Sequence, residues 1–341
     1  MSGRLVIARC HGALSLQDGG RRGYQRYGLS GSGAMDRLAM ATANVLVGNA
    51  PDAPILELGL GGGRFVVEAG RGWFACAGAP CTLRIDGAPL TGHRTATLAE
   101  GAELIVDPPR EGAFAYLAVA GGFEAGTVLG SVSLHLRAGI GGADGRLFQA
   151  GDHLAFAAVE GNTPGDRTTD AVPLDRDATI RVMLGPQADR FPHGGIDTLL
   201  GSTFTVSHRA DRMGYQLDGP AIAHGASGYN IVSDATVMGS IQVPGNGRPI
   251  VLMADRQTTG GYPKIATVIS ADLRRLAQSR PGDPIRFEAV TLAVAREAAI
   301  RRQRDIVGLS GRLRPLGGFD AERLLGANLA GHAVDALREG P

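Results

Sequence analysis

The loop at residues 255–264, DRQTTGGYPK, holds the densest group of polar side chains and glycines in the chain. The apolar segments 250–254 and 265–269 flank it and predict strands that hold both of its ends while the loop presents donors and acceptors. Thr258 and Thr259 add hydroxyls, and the Lys264 ammonium suits a phosphate or a carboxylate. The pattern therefore indicates either a functional loop or a β-hairpin with an ordinary Gly-Gly turn.

Gly260 and Gly261 allow a positive φ and let backbone N–H groups approach an anion closely. Pro263 favours an extended conformation of Tyr262, which gives the aromatic ring a defined direction. Lys264 is the only lysine among 34 basic residues. Its compact ammonium is not chemically equivalent to a guanidinium, so its position in this loop is informative.

Two further clusters combine polar side chains with glycine. QDGGRR at residues 17–22 and GLSGSGAMD at residues 28–36 place glycines and serines before a predicted helix. Such a helix start stabilises an anion or a carboxylate, but the pattern alone favours a plain helix cap. The third cluster, SHRADRMG at residues 207–214, is followed by Tyr215. Its Arg212 could clamp a carboxylate, although an arginine in a turn is more often solvated or used in packing.

Composition excludes several classes of protein. With 34 basic and 33 acidic residues the formal charge is +1, which gives no electrostatic footprint for nucleic-acid binding. No apolar run approaches the roughly 18 residues that span a bilayer, so no membrane association is expected. Three cysteines without a CxxC pair indicate free thiols in a reducing cytoplasm, and we predict no metal site. The chain also lacks GxxxxGK[ST], GxSxG and HExxH motifs.

The chain contains a partial internal repeat. Residues 143–156 (ADGRLFQAGDHLAF) and 271–287 (ADLRRLAQSRPGDPIRF) share Ala-Asp, an Arg-Leu segment, and Gly-Asp before an aliphatic residue and a phenylalanine. The repeat predicts two domains of similar topology, at residues 1–159 and 178–290. Residues 160–177 are polar and aperiodic and are interpreted as a linker. Residues 291–341 are predicted to form a helical tail.

Short strands are expected to dominate the elements that position these clusters. The 52 glycines and 18 prolines require frequent turns. Residues 64–68, 179–184, 203–206 and 249–253 are β-rich and are bounded by turn residues. Helical periodicity is convincing at residues 35–47 and 292–307, with a last helix at 321–337. We therefore predict a mainly β fold with two barrels or sandwiches and a few short helices.

Several long stretches together resemble one known family. In the first half they are residues 17–36, 43–49 (ANVLVGN), 116–123 (YLAVAGGF) and 139–152 (GIGGADGRLFQAGD). In the second half they are residues 181–191 (RVMLGPQADRF), 211–219 (DRMGYQLDG) and 239–273. The chain is similar in these stretches to the allophanate hydrolase subunit 2 family, the KipA-like proteins also described as the C subunit of 5-oxoprolinase or as biotin-dependent carboxyltransferase family proteins.

The resemblance implies two cyclophilin-like β-barrel domains, in agreement with the repeat. It implies a KipI-like partner, which is the B subunit of 5-oxoprolinase, and also the A subunit. It implies either the ATP-dependent opening of a lactam, 5-oxoproline to glutamate, or the transfer of a carboxyl group from carboxybiotin to an amide. Phe114 and Leu134 depart from the family pattern of Arg or Ser-Thr. The family accepts Arg or Lys at Lys264, which favours a role as a cation over a role as a base.

We therefore predict the C subunit of an ATP-dependent 5-oxoprolinase, an amidohydrolase acting on a small amide or lactam. The alternatives are the carboxyltransferase half of a biotin-dependent urea or amide carboxylase and a KipA-like regulatory module without turnover. The predicted catalytic residues are Asp255, Gln257, Thr258, Thr259, Tyr262 and Lys264. The predicted substrate-binding residues are Asp18, Asp36, Arg212, Tyr215, Gly260 and Gly261.

Overall fold

The computed structural model describes residues 2–90, 93–159, 166–170, 173–174 and 179–316. Within them the fold is mainly β with short helices and includes a nearly closed β-barrel sheet, which confirms the predicted fold class. The strands up to residue 169 are β1 Ser2–Cys10, β2 Ala13–Gln17, β3 Ile55–Gly59, β4 Gly63–Ala69, β5 Arg71–Gly78, β6 Leu83–Ile85, β7 Ala88–Leu90, β8 His93–Ala99, β9 Glu103–Val106, β10 Phe114–Val119, β11 Phe123–Glu124, β12 His153–Ala157 and β13 Arg167–Thr169.

The later strands include those predicted around residues 179–184, 203–206 and 249–253. They are β14 Ile180–Leu184, β15 Phe204–Ala210, β16 Gly214–Asp218, β17 Asp234–Ala235, β18 Ser240–Gln242, β19 Ile250–Leu252, β20 Thr259–Gly260, β21 Lys264–Val268, β22 Pro284–Ile285, β23 Phe287–Ala289 and β24 Arg314–Pro315. The helices are α1 Arg37–Leu46, α2 His193–Gly201, α3 Leu273–Ala277 and α4 Leu292–Val307. Thus α1 and α4 confirm two predicted helices, whereas the helix predicted at residues 321–337 lies outside the described residues.

The strands form two seven-stranded sheets and one eight-stranded sheet. The first two run β11-β12-β1-β4-β9-β6-β7 and β2-β3-β10-β5-β8-β13-β24, and all of their pairings are antiparallel. The third runs β22-β15-β16-β19-β18-β21-β14-β23 and contains one parallel pair, β14 with β23. We call residues 2–159 the first half and residues 179–289 the second half. Much of the predicted linker lies outside the described residues, so the domain boundaries stay a prediction.

The buried core joins the two halves. One hydrophobic cluster consists of first-half side chains, among them Leu5, Phe65 and Phe156. A second cluster combines Tyr116 and Trp73 of the first half with residues such as Val251 of the second. Because the halves share this apolar contact, side chains at their junction are held by two rigid sheets. In the part of the chain that the structure describes, no helix is long and apolar enough to cross a membrane.

The two copies of the Gly-Asp repeat form the same turn. Gly151 and Gly282 have φ of 93° and 95°, the left-handed region that favours glycine. Each glycine N–H donates to a carbonyl of the neighbouring strand, at Ile7 and at Val206. In both turns the aspartate accepts from the backbone N–H three residues earlier, at 2.8 and 2.9 Å. The sequence repeat therefore corresponds to a repeated local structure.

Candidate active site

Arg212 is the centre of a buried polar cluster where the two halves meet. Its Nε and Nη2 donate to Asp255 Oδ2 and Oδ1 at 2.9 and 3.0 Å, and its Nη1 donates to Glu57 Oε1 at 2.5 Å. Its Nη2 also donates to the Gly33 carbonyl at 2.8 Å and to Gln17 Oε1 at 3.3 Å. We call Arg212, Asp255, Glu57 and Gln17 the Arg212 cluster. Its guanidinium fork matches a carboxylate on each side, which fixes both carboxylates in position.

Strand ends and a tight turn place these side chains. Asp255 follows β19, and its backbone N–H donates to the Arg212 carbonyl at 2.7 Å. Arg212 lies between β15 and β16, in a turn where Asp211 Oδ1 accepts from the backbone N–H groups of Met213 and Gly214. Glu57 projects from the middle of β3, which is buried along its whole length. The local Asx turn therefore aims Arg212 across the junction.

A second layer of hydrogen bonds satisfies the Glu57 carboxylate. The Tyr116 hydroxyl donates to Glu57 Oε2 at 2.8 Å and accepts from the Asp36 backbone N–H at 2.7 Å. The Met35 backbone N–H donates to the same Glu57 oxygen at 2.9 Å. Burial, reinforced by the charges of Glu57 and Asp36, raises the pKa of the Tyr116 hydroxyl well above its usual value. Tyr116 therefore stays a neutral donor that anchors Glu57.

The cluster is arranged to remain charged although it is buried. Burial by itself lowers the pKa of Arg212, but the carboxylates of Glu57 and Asp255 outweigh it and raise that pKa above its usual range. Removing such a group from water is costly unless its partners compensate. Here the partners are present on every nitrogen of the guanidinium, so the cluster is a fixed electrostatic unit.

A cavity of about 300 Å³ opens beside this cluster, and both halves contribute to its walls. Asp255 and Arg212 are the members of the Arg212 cluster in its lining, and Arg137 and Asp211 add further charged groups. The remaining walls come mostly from apolar side chains and glycine: Ala13, Gly59, Leu60, Phe114, Leu134, Leu136, Leu147, Ala210, Met213 and the Tyr215 ring. We call this space the junction cavity. An apolar concavity with a few convergent polar groups has the properties of a small-molecule site.

Phe114 and Leu134, the positions where the sequence departs from the family pattern, both line the junction cavity. Tyr215 lines it too, but its hydroxyl donates to the Ala277 carbonyl at 3.1 Å, and burial raises its pKa. Tyr215 therefore contributes a ring face to the wall. Of the residues predicted to be catalytic, Asp255 lines the junction cavity.

The other end of the loop at residues 255–264 forms a separate charged pair. Lys264 Nζ donates to Asp234 Oδ2 at 2.8 Å, and Gln187 Nε2 donates to the same oxygen at 2.9 Å. These bonds lower the pKa of Asp234 to about 2, with the Lys264 bond as the largest cause. The Lys264 stem is buried, whereas Asp234 is exposed to solvent. The Lys264 ammonium is thus already paired with a carboxylate of the protein.

The middle of the loop is fixed by neighbouring backbone and amide groups. Gln257 Nε2 donates to Gln242 Oε1 at 3.0 Å, and Gln242 Nε2 donates to the Tyr262 carbonyl at 3.4 Å. Thr258 is buried, and its carbonyl accepts from the Thr236 N–H at 2.9 Å. Thr259 is exposed in β20, and the Tyr262 side chain is partly exposed. Their roles in chemistry stay predictions.

Gly260 and Gly261 do not use the positive φ that glycine allows, since neither lies in that region. Gly260 pairs with Asp234 across β17 and β20 in extended backbone. A Cβ at Gly260 would lie 2.2 Å from Gln242 Nε2, whereas the nearest neighbour of a Cβ at Gly261 would be 3.6 Å away. A side chain at Gly260 would therefore displace the Gln242 amide from its hydrogen bonds with Gln257 and with the Tyr262 carbonyl.

Asp36 and Asp18 stabilise local structure. Asp36 is the N-cap of α1, and its Oδ1 accepts from the Leu38 and Ala39 N–H groups at 3.1 Å, as the helix-cap alternative predicts. Asp18 Oδ1 accepts from the Gly20 N–H and from Ser131 and Ser133 hydroxyls, while its Oδ2 accepts from the Val132 N–H. Neither lines the junction cavity, so both position the segments that build it.

Glu57, Gln17 and Tyr116 were not predicted as site residues. The signal for Glu57 was a single carboxylate in the apolar strand ILELG, and for Gln17 a single amide ending ALSLQ. A buried polar residue in an otherwise apolar strand needs a partner. Nothing in the sequence shows that the partner is Arg212, which lies 155 residues from Glu57.

One other pair has the appearance of a nucleophile and its base. Ser30 Oγ lies 3.0 Å from His135 Nε2 in a buried site. However, His135 Nδ1 accepts from the Ala138 N–H, so the ring proton is assigned to Nε2, which then donates to the hydroxyl. Burial lowers the pKa of His135, which favours this neutral form. Among the described residues no group of three or more His, Cys, Asp or Glu side chains could hold a metal ion.

Comparisons with known proteins agree with the resemblance in the sequence. Residues 27–289 match the family described as "Carboxyltransferase domain, subdomain A and B". The chain is 40% identical over 311 residues to the C subunit of 5-oxoprolinase from Escherichia coli, covering 91% of this chain and 98% of that protein. It is 39% identical over 293 residues to the C subunit of 5-oxoprolinase from Haemophilus influenzae, covering 86% and 92%.

A solved structure extends the comparison to a larger enzyme. The crystal structure of the Kluyveromyces lactis urea carboxylase superposes with a TM-score of 0.82 at 26% identity. The superposition covers 92% of this chain but 30% of that protein, so this chain corresponds to less than a third of it.

Proposed function

Because the chain belongs to the carboxyltransferase domain family, subdomain A and B, we propose that it is the C subunit of an ATP-dependent 5-oxoprolinase. In this proposal it acts with a KipI-like B subunit and with an A subunit to open the lactam of 5-oxoproline and give glutamate. The similarity to two bacterial proteins that are named as the C subunit of 5-oxoprolinase, each covered over more than nine-tenths of its length, supports it.

The observation that carries the proposal is that Asp255 lines the junction cavity. Arg212 holds both of its oxygens, which orients the carboxylate with lone pairs still available. A carboxylate in such a position accepts the N–H of a lactam or orients an attacking water. The apolar walls meet the methylene groups of a small ring and exclude bulk water.

The loop at residues 255–264 does not fit the phosphates of ATP. Lys264 Nζ is bonded to Asp234, and the space over Gly260 is filled by Gln242. A phosphate cradle needs free backbone N–H groups and an available cation. We therefore derive no step of this chain through ATP and assign its binding, as part of the proposal, to another member of the complex.

The test is turnover by the purified complex of this chain with its A and B partner subunits. We expect glutamate release from 5-oxoproline that depends on ATP and on all three subunits. Asp255→Asn keeps the shape of the side chain, so we expect about a 10²-fold or larger loss of kcat with complex assembly intact. Asp218→Asn, at an exposed pair with Arg248, is the matched control and should keep wild-type rates.

Two results would count against this function. A folded, assembled complex without 5-oxoproline turnover would reject it and would favour a regulatory binding module. Full activity of Asp255→Asn would leave the function standing but remove the junction cavity as its site.

A second function is favoured by the superposition on the urea carboxylase over 92% of this chain. In this alternative the chain is the carboxyltransferase half of a biotin-dependent urea or amide carboxylase. Carboxybiotin would supply an activated carboxyl group, and the ureido ring of biotin also combines apolar faces with N–H donors that suit the junction cavity. Bicarbonate-dependent carboxylation of an amide that avidin blocks would decide for this alternative.

A further inference from the structure

The junction cavity contains two arginines in very different states. Arg212 donates from every nitrogen to the protein's own acceptors, so it has little capacity left for a ligand. Arg137 lies in a short 3-10 turn, Leu136–Ala138, and is exposed. Within the described residues its guanidinium makes no hydrogen bond or ion pair with another side chain. Arg137 is therefore the cavity cation that is available to an anion.

The surroundings of Arg137 define what kind of anion fits. Leu134, Leu136 and Leu147 line the same cavity, and Phe114 forms part of its wall. An inorganic ion would leave these apolar surfaces in contact with water. An organic anion with several methylene groups would cover them, at roughly 25 cal/mol for each Å² of apolar surface buried.

The acidic residues of the lining add a second requirement. Asp255 is an acceptor, and its two oxygens are already oriented by Arg212. Asp211, the other acidic lining residue, uses Oδ1 to accept from two backbone N–H groups of its turn. The lining of the cavity therefore combines an acceptor for an N–H group, apolar side chains and a cation for a carboxylate.

We propose that Arg137 is a specificity-determining residue that binds the carboxylate of an acidic lactam or amide whose N–H faces Asp255. This inference rests on the proposed function and selects between its two substrate classes. 5-Oxoproline carries a ring N–H, two ring methylenes and a carboxylate, so it meets all three requirements. Urea has neither a carboxylate nor an apolar surface.

The first test compares kinetics of the reconstituted complex. Arg137→Gln should raise KM for 5-oxoproline about tenfold or more, since a charge-assisted hydrogen bond is lost, while kcat changes little. Arg137→Lys should recover part of the loss. Arg286→Gln, an exposed arginine outside the cavity lining, is the matched control and should leave KM unchanged.

The second test uses direct binding to the full chain, so that it does not depend on turnover. The probes are 5-oxoproline, 2-pyrrolidone (the lactam without the carboxylate) and cyclopentanecarboxylate (the carboxylate without the lactam), followed by NMR titration. Arg137→Gln should weaken the binding of 5-oxoproline and of cyclopentanecarboxylate and leave the binding of 2-pyrrolidone unchanged. Asp255→Asn should weaken the binding of both lactams and leave the binding of cyclopentanecarboxylate unchanged.

The outcomes separate this inference from the proposed function. Turnover of 5-oxoproline with an unchanged KM in Arg137→Gln would overturn the inference and leave the function intact. Equal weakening of 2-pyrrolidone would also overturn it, because the change would then be structural. If the complex shows no turnover but Arg137 still controls carboxylate binding, the inference stands and the function falls. Absence of carboxylate binding to the wild-type chain overturns the inference.

Discussion

The two ends of the loop at residues 255–264 each bring a cation to a carboxylate at nearly the same distance. Asp255 meets Arg212 at 2.9 Å, and Lys264 meets Asp234 at 2.8 Å. In the first pair Asp255 is buried and Arg212 is mostly so, with 4% and 14% of their side chains exposed. In the second, Lys264 is buried but Asp234 is 48% exposed. The first carboxylate faces a cavity at the junction of two sheets, and the second faces solvent.

This difference decides what each pair contributes. A buried pair has lost its hydration, so removing one partner leaves an uncompensated charge. A pair with one exposed partner contributes little to the free energy of unfolding, since water replaces the lost contact. The loop is therefore two sites in one stretch of sequence, and substitutions at its two ends should have unequal effects.

Arg212→Met should give the largest effect. It leaves the carboxylates of Glu57 and Asp255 buried without their cation, and we expect about 3–5 kcal/mol less free energy of unfolding in urea. Turnover should disappear with it, since Asp255 loses its orientation. A loss below about 1 kcal/mol would show that water reaches the Arg212 cluster, and the contrast between the two ends would fail.

Tyr116→Phe tests the layer behind the Arg212 cluster. It removes the hydroxyl that donates to Glu57 and accepts from the Asp36 N–H, and this unpaired N–H should cost about 1–3 kcal/mol of stability. Tyr229→Phe, at a half-exposed tyrosine, is the control and should change stability little. Equal effects of the two substitutions would mean that Glu57 does not depend on this layer.

Gly260→Ala and Gly261→Ala probe the middle of the loop with the same change. The new Cβ at Gly260 would displace the buried Gln242 amide from its hydrogen bonds with Gln257 and the Tyr262 carbonyl, so we expect about 1–3 kcal/mol of destabilisation. At Gly261 the nearest atom is 3.6 Å away, and the change should be neutral. Thermal unfolding of both variants measures the difference, and similar midpoints would contradict the close approach at Gly260.

Much of the fold could be predicted from the sequence because its signals are local. The glycine-aspartate repeat predicted two domains of similar topology, and its two copies form turns that share a positive-φ glycine and the same hydrogen bonds. Periodicity located α1 and α4, and β-rich composition between turn residues located several strands. These features depend on neighbouring residues, which a sequence displays directly.

The site was predicted only in part because its contacts are distant in the chain. Asp255 and Arg212 were identified by residue type in polar turns, but Glu57 joins them through a bond spanning 155 residues. The junction cavity exists only when the halves pack together, so no local pattern indicates Leu147 or Arg137. The density of polar side chains and glycines predicted one site at residues 255–264. The pairing of Lys264 with Asp234 instead separates that end of the loop from Asp255.

Lys264→Met should have the smallest effect on stability, and the pH dependence of that effect tests the comparison of the two ends. Methionine keeps the buried stem, and the remaining Asp234 is exposed, so the urea midpoint at neutral pH should change less than in Gly260→Ala. In the folded protein the pKa of Asp234 is lowered to about 2, below the value of about 3.9 expected in an unfolded chain. The stabilisation is therefore present above about pH 4 and is lost as pH falls through 2.

The difference in stability between wild type and Lys264→Met should accordingly be constant near neutral pH and shrink on acidification. NMR titration should show the pKa of Asp234 rising toward its ordinary value in the variant, because Lys264 is the largest cause of its depression. An unchanged pKa would assign the depression to Gln187 and the Ala235 N–H instead. A loss of stability as large as that of Arg212→Met would mean that Asp234 is shielded from water, and that the two ends of the loop are equivalent after all.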